Sequence, residues 1–597
     1  MEDLFAELRR RNGGPRPDGG RLPDLKPQPE RRREPFPLTD IQQAYLIGRH
    51  RGLELGGVSS QYYLEWDCPA LDADRLAGAL GKVVARHEAL RTVAGADHTQ
   101  RILGAEEVGP CRVRTADLRG LSGEQQSAAL ERVRTELTEQ VLPVDRAPML
   151  DVRASLLDGG RMRLHLAVDL LFVDLPSLFR LLAEWRRFHD DPAWRPEPLD
   201  VSFRDYVLAE EELRGDGLGR EAAAYWAERL DTLPPAPELP PAVAPEQLGT
   251  PRFVRHRREL APERWAALRA VAARHGLTPS GVLLAAYAEV VRTWSRRQEF
   301  TLTVTRFHRL GLHPQVGEIL GDFLAPGLLA VGGRPEETFA QRARDLQQRL
   351  LEDLAHGAHS GIRVLRDLAR RRDDGRASMP VVFSSTLGAG EGGPGAEALE
   401  SFGELVHVHS RTPQVWLENQ VLELGGRLAV HWNAVRGLFP DGMVEDMLDA
   451  YGALLDRLVD DASVWGAVRG VVPLPAAQAE ERDRANATAE DIPPALLHEL
   501  VAEAARRRPD AVAVVTPGAE TTYRELTGTA HRIAHRLLRV PGWGRAGSSR
   551  CRCVRARGRS PRCSACCTPA PRTWRSTRSC RRSGGCGCWT AAPRGPW

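Results

Sequence analysis

A strand-like pattern passes directly into a helix-like pattern between residues 161 and 188, and this segment strongly constrains the fold. RMRLHLAVD alternates apolar and polar residues, with every second residue from Met162 to Val168 apolar, as expected for a strand. The following LPSLFRLLAEWRRF repeats leucines and a tryptophan at helical spacing. The polar residues of the intervening VDLLFVDLPS therefore lie where a strand ends and a helix begins, a common place for functional groups.

The same alternation of periods recurs along most of the chain. Residues 72 to 93 begin with the acidic cap candidates Asp72 and Asp74 and continue with apolar residues on one helical face. Those apolar residues are Leu76, Leu80, Val83, Val84 and Leu90. Ser122 and Gln125 have the spacing of a capping box at the start of a further helix. Mixed helical and strand periods predict an α/β fold class.

Proline-rich segments divide the chain. Residues 2 to 11 are predicted as a short helix, and residues 12 to 35 as a linker too rich in Pro, Gly and charge to pack. A second proline-rich crossing, residues 233 to 245, separates the first alternating body from another that runs to about residue 470. Two bodies joined in this way predict a cleft between lobes.

The C-terminal segment, residues 541 to 597, has a different composition. It contains 13 Arg, no acidic residue, and no Leu, Ile, Met, Phe or Tyr, so it is predicted to be disordered. The net charge of +3 becomes −10 when this segment is left out. An acidic body without a basic stripe argues against a nucleic-acid partner.

Cysteine usage indicates a reducing compartment. Eight of the ten cysteines lie in the C-terminal segment, and only Cys68 and Cys111 lie in the globular part. The cluster CSACC has irregular spacing and no nearby His, so we predict no metal there. The chain lacks a signal peptide and a long apolar stretch, so a cytoplasmic protein without membrane partners is expected.

Eight ordered motifs carry a resemblance to a known family. They are FPLTDIQQAYLIGR (36 to 49), RHEALRTV (86 to 93), VDLLFVDLPS (168 to 177), LPPAPELPP (233 to 241), TPSGVLLAAYAEVVRTW (278 to 294), GDF (321 to 323), MPVVFSS (379 to 385) and RTPQVWLENQ (411 to 420). In this order they resemble the heterocyclization domains of nonribosomal peptide synthetases, within the condensation-domain superfamily. The resemblance covers residues 36 to 472.

The resemblance implies a fold and an activity. The fold is two chloramphenicol-acetyltransferase-like lobes, about residues 36 to 205 and 206 to 472, in a V-shaped pseudo-dimer with a central tunnel. Two carrier proteins present thioester-bound substrates there on phosphopantetheine arms, and this chain itself binds no cofactor. An acyl thioester is joined to the amine of a carrier-bound Cys, Ser or Thr. The side-chain thiol or hydroxyl then attacks the new amide carbonyl, and loss of water gives a thiazoline or oxazoline.

The resemblance also assigns residue roles, with departures from the family pattern. A hydroxyl and a carboxylate suit the proton transfers of ring closure. In the family these are a Thr and an Asp, whereas the matching positions here are Ser384 and Glu418. His308 stands where the family has Asn, and Leu324 where it has Thr. Since Glu reaches one methylene further than Asp, these departures bear on ring closure more than on condensation.

Asp169, Asp174 and Ser177, here called the marker motif, have the spacing D-x4-D-x2-S of the family and are candidate catalytic residues. Each has a structural alternative. Asp174 precedes Leu-Pro at a helix start and is a candidate N-cap. Ser177 is able to bond locally, and Asp169 to pair with an arginine such as Arg309.

The remaining candidate catalytic residues, Ser384, Glu418 and His308, also have structural alternatives. Ser384 follows an apolar run and is alternatively a buried hydroxyl satisfied by the backbone. Glu418 is alternatively an outward, solvated side chain of a strand. His308 is alternatively a core or rim histidine.

Residues 473 to 540 resemble a linker and the start of an adenylation domain, with RANAT (484 to 488) and TTYRELTGTAHRIAHRLL (521 to 538). The glycine-rich nucleotide loop and later adenylation motifs are missing, so no amino-acid activation is expected. The change of composition after Val540 resembles a reading-frame shift. Both carrier proteins are expected on other polypeptides.

Three alternatives to heterocyclization stay open at this stage. One is condensation without efficient ring closure, as Ser384, Glu418 and His308 would allow. Another is a non-catalytic remnant or carrier-docking scaffold. The last is an acyltransferase that uses coenzyme A, which is disfavoured because the paired-histidine motif is absent and Leu170 stands where its second histidine would be.

Overall fold

The computed structural model describes residues 25–539, except residues 96, 373–376, 389–393, 490, 492–494 and 517, together with residues 574–576 and 589–591. Contacts divide the chain into two compact units, Met1–Ala479 and Glu480–Trp597. The helix predicted at residues 2 to 11 lies outside the described residues. The predicted domain limits at residues 36 and 472 stay predictions.

The first unit contains strands throughout its length. They are β1 (Phe36–Pro37), β2 (Gln61–Pro69), β3 (Thr92–Ala94), β4 (Thr99–Ile102), β5 (Val113–Asp117), β6 (Leu150–Leu157), β7 (Arg161–Asp169), β8 (Phe253–Leu260), β9 (Phe300–Phe307), β10 (Leu324–Val331), β11 (Val381–Ser385), β12 (Glu404–Arg411), β13 (Leu417–Leu424) and β14 (Arg427–Val435). Strands β1, β4 and β3 form a small sheet in that order.

Helices alternate with these strands. They are α1 (Asp40–Gly48), α2 (Ala73–Arg86), α3 (Gly123–Glu139), α4 (Leu175–Asp190), α5 (Phe203–Gly215), α6 (Gly217–Arg229), α7 (Pro262–Arg274), α8 (Pro279–Trp294), α9 (Phe339–Ala355), α10 (Gly361–Arg371), α11 (Met443–Asp460), α12 (Ser463–Gly466) and α13 (Ala476–Asn486). Short 3-10 turns lie at Pro29–Arg31, Glu88–Arg91, Asp158–Gly160, Pro245–Gln247, Pro314–Gly317 and Ala396–Glu400.

The first lobe is built on a five-stranded sheet with the order β12-β2-β7-β6-β5. Its apolar face is covered by α2 and α4, whose leucines and valines share one core with β2 and β7. Asp72 caps α2 by accepting a hydrogen bond from the Arg75 backbone N–H at 2.7 Å, as predicted. The helix ends at Arg86, before the end of the predicted segment at residue 93, because His87 leaves the helical conformation and Leu90 lies in a 3-10 turn.

The second face of this sheet is polar, as predicted for β7, but it is buried. His165 lies on that face, fully enclosed, and its Nδ1 is 2.8 Å from the Tyr63 hydroxyl. Glu65 accepts hydrogen bonds from Arg134 of α3 at 2.9 Å and from Arg163 at 2.7 Å. Burial lowers the pKa of His165 to about 4. A hydrogen-bonded network under α3 therefore replaces the solvent contact of an ordinary polar face.

The second lobe is built on a six-stranded sheet with the order β10-β9-β11-β13-β14-β8. Strand β11 is parallel to both β9 and β13, and the other neighbours are antiparallel. Helix α8 is almost wholly buried in the core behind this sheet. Strand β12 leaves this half of the chain and pairs with β2 in the first sheet. The predicted division into lobes at residue 205 therefore misses one strand, which the second half contributes to the first lobe.

The described part of the predicted linker, residues 25 to 35, packs against the rest of the first unit. Leu25 is buried with Phe36 and Phe203 in one apolar cluster, and its backbone N–H donates to the Leu312 carbonyl at 2.9 Å. Glu34 pairs with the buried Arg204 at 3.1 Å. The expectation that residues 12 to 35 do not pack is wrong for this part, because a few apolar and charged side chains suffice to anchor it.

The second unit is small in its described part. It contains α14 (Leu497–Arg507), β15 (Val512–Thr516), β16 (Ala519–Thr522), α15 (Tyr523–Leu538), β17 (Trp574–Ser576) and β18 (Trp589–Ala591). Strands β15 and β16 pair, and so do β17 and β18. The last pair differs from the predicted disorder of residues 541 to 597, and the rest of that segment lies outside the described residues. Within the described helices, none has the length and apolarity needed to cross a membrane.

Candidate active site

A cavity of about 210 Å³, here called the main cavity, lies between the two large sheets of the first unit. Strands β2 and β12 line it from the first lobe, and β9, β11 and β13 line it from the second. Its wall is mostly apolar, with a limited set of polar groups as expected for a small-molecule site. The principal polar groups are Tyr45, Ser60, Asp174, Asp322, Ser384, Glu418 and Gln420.

Ser384 and Glu418, here called the acid–base pair, face this cavity from neighbouring strands. Strands β11 and β13 are parallel, and their register places Val382 opposite Glu418 and Ser384 opposite Gln420. The Ser384 hydroxyl donates to Glu418 Oε1 at 2.7 Å. Each residue is 8% exposed. Glu418 is therefore not an outward, solvated side chain, and the partner of the Ser384 hydroxyl is a carboxylate and not the backbone.

Two amide side chains hold the Glu418 carboxylate in place. Gln420 donates to Oε1 at 3.3 Å, and Asn433 of β14 donates to Oε2 at 3.0 Å. Asn433 is buried, so its bond to the carboxylate is shielded from water. Gln420 is the last residue of the motif RTPQVWLENQ, so the sequence motif already pointed to the segment that contains it. Asn433 lies in no motif, and only the pairing of β13 with β14 brings it to the site.

A larger cleft of about 770 Å³ lies beside β8 and β12 and is lined by arginines, glutamates and histidines. The six predicted catalytic residues are absent from its described lining. Arg255 in its wall donates to Gln420 at 3.3 Å and to the Tyr62 hydroxyl at 3.3 Å. Gln420 and Tyr62 line the main cavity between the sheets, so this cavity and the larger cleft share one hydrogen-bonded wall.

The predicted N-cap role of Asp174 is confirmed. Its Oδ1 accepts a hydrogen bond from the Ser177 backbone N–H at 2.8 Å at the start of α4, where Pro176 occupies the first turn. Arg309 donates to the same Oδ1 at 3.1 Å, and the Phe323 N–H donates to Oδ2 at 3.3 Å. Asp174 lines the cavity, but both of its carboxylate oxygens already accept hydrogen bonds.

Ser177 is likewise engaged in the protein's own structure. Its hydroxyl donates to the Gly321 carbonyl at 2.9 Å and accepts from the Gly321 N–H at 3.1 Å. Arg309 donates to the same oxygen at 2.8 Å. The side chain is buried and does not line the cavity between the sheets. Ser177 therefore ties the start of α4 to the segment around Gly321.

Asp169 pairs with a different arginine from the one predicted. Its partner is Arg49 of the first motif, at 2.5 Å, whereas Arg309 bonds Asp174 and Ser177. The Leu171 N–H donates to its other oxygen at 3.1 Å. Burial raises the pKa of Asp169, and the Arg49 charge acts in the opposite direction. The predicted pairing with Arg309 is wrong, because the sequence does not show which arginine folds back onto the end of β7.

His308 lies away from the acid–base pair. It lines a smaller cavity with Arg306 and Tyr206, and its backbone N–H donates to the Phe323 carbonyl at 2.7 Å. Burial, together with the Arg306 charge, lowers the pKa of His308 well below its usual value. The structure thus supports the rim-histidine alternative over proton transfer with Glu418.

Asp322 was missed as a site residue, although it lies in the GDF motif. It is 2% exposed and lines both the main cavity and the smaller one. Burial, together with the negative charge of Asp174, raises the pKa of Asp322 well above its usual value. Burial and the same carboxyl groups also raise the pKa of Tyr45 in the cavity wall.

The site has the residue types for proton transfer. The Glu418 carboxylate is able to accept a proton, and the Ser384 hydroxyl is able to relay or orient one. The described residues include no group of three or more side chains suited to a metal ion.

A profile of the condensation domain matches residues 34–465. The chain belongs to the condensation-domain family. It is 37% identical over 535 residues to the pyochelin synthetase PchF of Pseudomonas aeruginosa, covering 88% of this chain and 28% of that protein. It is 34% identical over 524 residues to the phenyloxazoline synthase MbtB of Mycolicibacterium paratuberculosis, covering 87% of this chain and 44% of that protein.

A solved structure agrees with these relatives. The cyclization-docking bidomain of the nonribosomal peptide synthetase EpoB from Sorangium cellulosum matches with a TM-score of 0.69 and 35% identity, covering 78% of this chain and 91% of that one. The predicted family and α/β fold class are confirmed. The chain spans less than half the length of the two curated relatives. The predicted truncated adenylation start stays a prediction.

Proposed function

We propose that this chain carries out heterocyclization on carrier-bound substrates. The observation that carries the proposal is the hydrogen-bonded pair of Ser384 and Glu418, enclosed in a cavity between two lobes. The name phenyloxazoline synthase and the designation of the EpoB domain as a cyclization domain support a ring-forming reaction. The substrates would be an acyl thioester and a Cys, Ser or Thr thioester, each on the phosphopantetheine arm of a carrier protein. The two scattered thiols, Cys68 and Cys111, favour the cytoplasm as its location.

The first step would be amide formation. The acceptor amine attacks the donor thioester carbonyl, the carbon–sulfur bond breaks, and the donor carrier leaves as a thiol. Both substrates are then held as one linear amide. The cavity's contribution to this step is the positioning of two reactive groups, which replaces a bimolecular encounter by a unimolecular one.

Ring closure would use the acid–base pair. Glu418 takes the proton from the acceptor's thiol or hydroxyl, whose sulfur or oxygen bonds to the amide carbon. The former carbonyl oxygen leaves as water, and the nitrogen loses its proton as the C=N bond forms. Ser384, Gln420 and Asn433 orient the carboxylate, so that little reorganisation accompanies the proton transfer.

Condensation without ring closure is a second candidate. The observation in its favour is that Glu418 already accepts three hydrogen bonds, with the longer side chain of Glu in place of the family's Asp. A carboxylate restrained in this way reaches the substrate only if its remaining lone pair points into the cavity. The two candidate reactions give different products, a linear amide or a ring, and the mass of the product therefore distinguishes them.

The test is to incubate the full chain with an acyl-loaded carrier and a cysteinyl-loaded carrier, and to measure the intact mass of the acceptor carrier. A product lighter than the linear amide by one water is expected. Linear amide alone would favour the condensation-only reaction, and no transfer would contradict both and support a docking scaffold. Glu418→Gln is the matched variant, which should leave linear amide on the acceptor.

A further inference from the structure

Asp322 lines both the main cavity and the smaller one, and one of its two carboxyl oxygens lacks a hydrogen-bond partner among the described residues. Its Oδ1 accepts a hydrogen bond from the Leu324 N–H at 3.2 Å. Its Oδ2 is buried and has no hydrogen-bond partner among the described residues. Buried polar atoms are nearly always paired, so an orphaned oxygen in a cavity wall points to a partner supplied by a ligand. Asp174 and Glu418 line the same cavity, but their oxygens already have partners.

The backbone on both sides of Asp322 is held by the marker motif. Ser177 makes two hydrogen bonds to Gly321, and Asp174 accepts one from the Phe323 N–H. Gly321 also lies so close to Phe203 that an added Cβ would be 2.2 Å from its ring. The segment therefore has little freedom, and the orientation of the Asp322 side chain follows from residues outside the reaction.

Burial, together with the charge of Asp174, favours the protonated form of Asp322, whereas the charge of Arg309 acts in the opposite direction. Asp174, which is an anion beside it, receives the direct hydrogen bond of Arg309. Arg309 also donates to Ser177 and to the carbonyls of Val316 and Ile319, and its guanidinium lies 3.9 Å from the centroid of the Phe323 ring. Burial in an apolar wall disfavours a second negative charge next to Asp174. A carboxyl group kept neutral in this way is a hydrogen-bond donor, whereas Glu418 is an acceptor.

We propose that Asp322 is a further catalytic residue, the general acid that protonates the departing oxygen in ring closure. The inference rests on the function proposed above. Glu418 passes the proton that it took from the thiol or hydroxyl to the oxygen of the cyclic adduct, which becomes a hydroxyl on the ring carbon. Asp322 Oδ2 then donates its own proton to this hydroxyl. The carbon–oxygen bond breaks, and its electron pair goes to the oxygen, which leaves as water.

The remaining proton transfers take place between the adduct nitrogen, Glu418 and Asp322. The nitrogen lone pair forms the C=N bond, and the nitrogen proton passes to the Glu418 carboxylate. Asp322 is left as a carboxylate, and a proton returned from Glu418 through the cavity restores both groups. Amide formation needs no departing oxygen of this kind, so Asp322 acts in the second step only.

The experiment uses the full chain with two substrates. One is the pair of acyl-loaded and cysteinyl-loaded carriers, and the other is a carrier that already bears the linear N-acyl-cysteinyl thioester. Asp322→Asn keeps the shape and the acceptor for the Leu324 N–H but removes the acid. We expect ring closure from either substrate to fall at least about 100-fold, while amide formation stays within about threefold.

A matched control is Asp353→Asn. Asp353 is also a buried carboxyl group, its pKa is raised to about 6 by burial, and it lies outside the main cavity. We expect this variant to carry out both steps as the unaltered chain does. Asp322→Ala serves as a second variant, and it should show the same split between amide formation and ring closure.

The outcomes separate this inference from the proposed function. If the unaltered chain forms rings and Asp322→Asn forms them at the same rate, the general-acid role is overturned and heterocyclization stands. Equal loss of both steps in Asp322→Asn and Asp322→Ala would also overturn it, because it would show a structural role. If the unaltered chain gives linear amide but no ring, the proposed heterocyclization and this inference are both overturned.

Discussion

The marker motif and the acid–base pair are both polar and buried, but their atoms have different partners. In the marker motif, Asp169, Asp174 and Ser177 bond arginines and backbone groups of the protein itself. In the acid–base pair, Ser384 and Glu418 bond each other at the wall of a cavity. The comparison teaches that residues that identify a family are sometimes engaged in the protein's own structure. Here the marker motif holds the backbone on both sides of Asp322, the proposed general acid.

The largest expected effect comes from removing the carboxylate of the acid–base pair. Glu418→Gln keeps the size of the side chain but has no basic oxygen, so ring closure should fall about 100- to 1,000-fold. The linear amide should accumulate, as measured by intact mass of the acceptor carrier. Glu404→Gln, an exposed change on β12, is the control. Ring closure at an unaltered rate in Glu418→Gln would place the base elsewhere and break the comparison.

The marker motif should respond in stability, not in the choice of product. Asp174→Ala removes the cap of α4 and leaves Arg309, whose side chain is 15% exposed, without its anion. We expect a loss of about 3 kcal/mol in the free energy of unfolding, measured by urea titration of tryptophan fluorescence.

A matched cap variant sharpens this prediction. Asp72→Ala removes the exposed cap of α2, which has no buried arginine to satisfy, and should cost about 1 kcal/mol. Any loss of activity in Asp174→Ala should affect amide formation and ring closure equally. A selective loss of ring closure at unchanged stability would instead assign Asp174 to the chemistry.

The acid–base pair should also behave as one unit. Ser384→Ala and Glu418→Asp each disturb the same 2.7 Å hydrogen bond, and each should lower ring closure about tenfold. Because the two changes share one interaction, the double variant should be clearly less impaired than the product of the single effects. Single-turnover rates from the preformed linear amide measure this. Full additivity would mean that the two side chains act independently.

The smallest effect is expected at His308. Burial beside Arg306 keeps its pKa well below the usual value, so the imidazole is neutral near pH 7 and its protonation does not limit the rate. His308→Asn should therefore leave ring closure within about threefold. A tenfold or larger change in the closure rate, with amide formation unaltered, would show that the smaller cavity takes part in the reaction.

Local features of the fold were predictable, and long-range ones were not. The cap of α2, the capping box of Ser122 with Gln125 and the apolar face of β7 follow from spacing alone. The insertion of β12 beside β2 does not, because strand pairing depends on contacts between residues far apart in the chain. For the same reason the polar face of β7 could not be predicted to lie buried under α3.

The candidate site was also predictable only in part, since some of its residues lie in motifs and others are brought there by distant segments. The resemblance pointed to Ser384 and Glu418 because they stand at the positions of the family's Thr and Asp, and the structure brings both to one cavity. The motifs did not identify Asn433, which reaches Glu418 only across the pairing of β13 with β14. Nor did they show that Arg49 is the partner of Asp169, because several arginines were equally plausible along the chain.

The sequence by itself determined the family, the α/β class and the residue types available for proton transfer, because these depend on local periodicity and ordered motifs. Only the tertiary structure decided which polar groups face a cavity and which are bonded within the protein. The physical reason is that a side chain's protonation and hydrogen-bonding capacity depend on burial and on neighbouring charges. Those neighbours come from distant segments, as Asp174, Arg309 and Asp322 do at the start of α4.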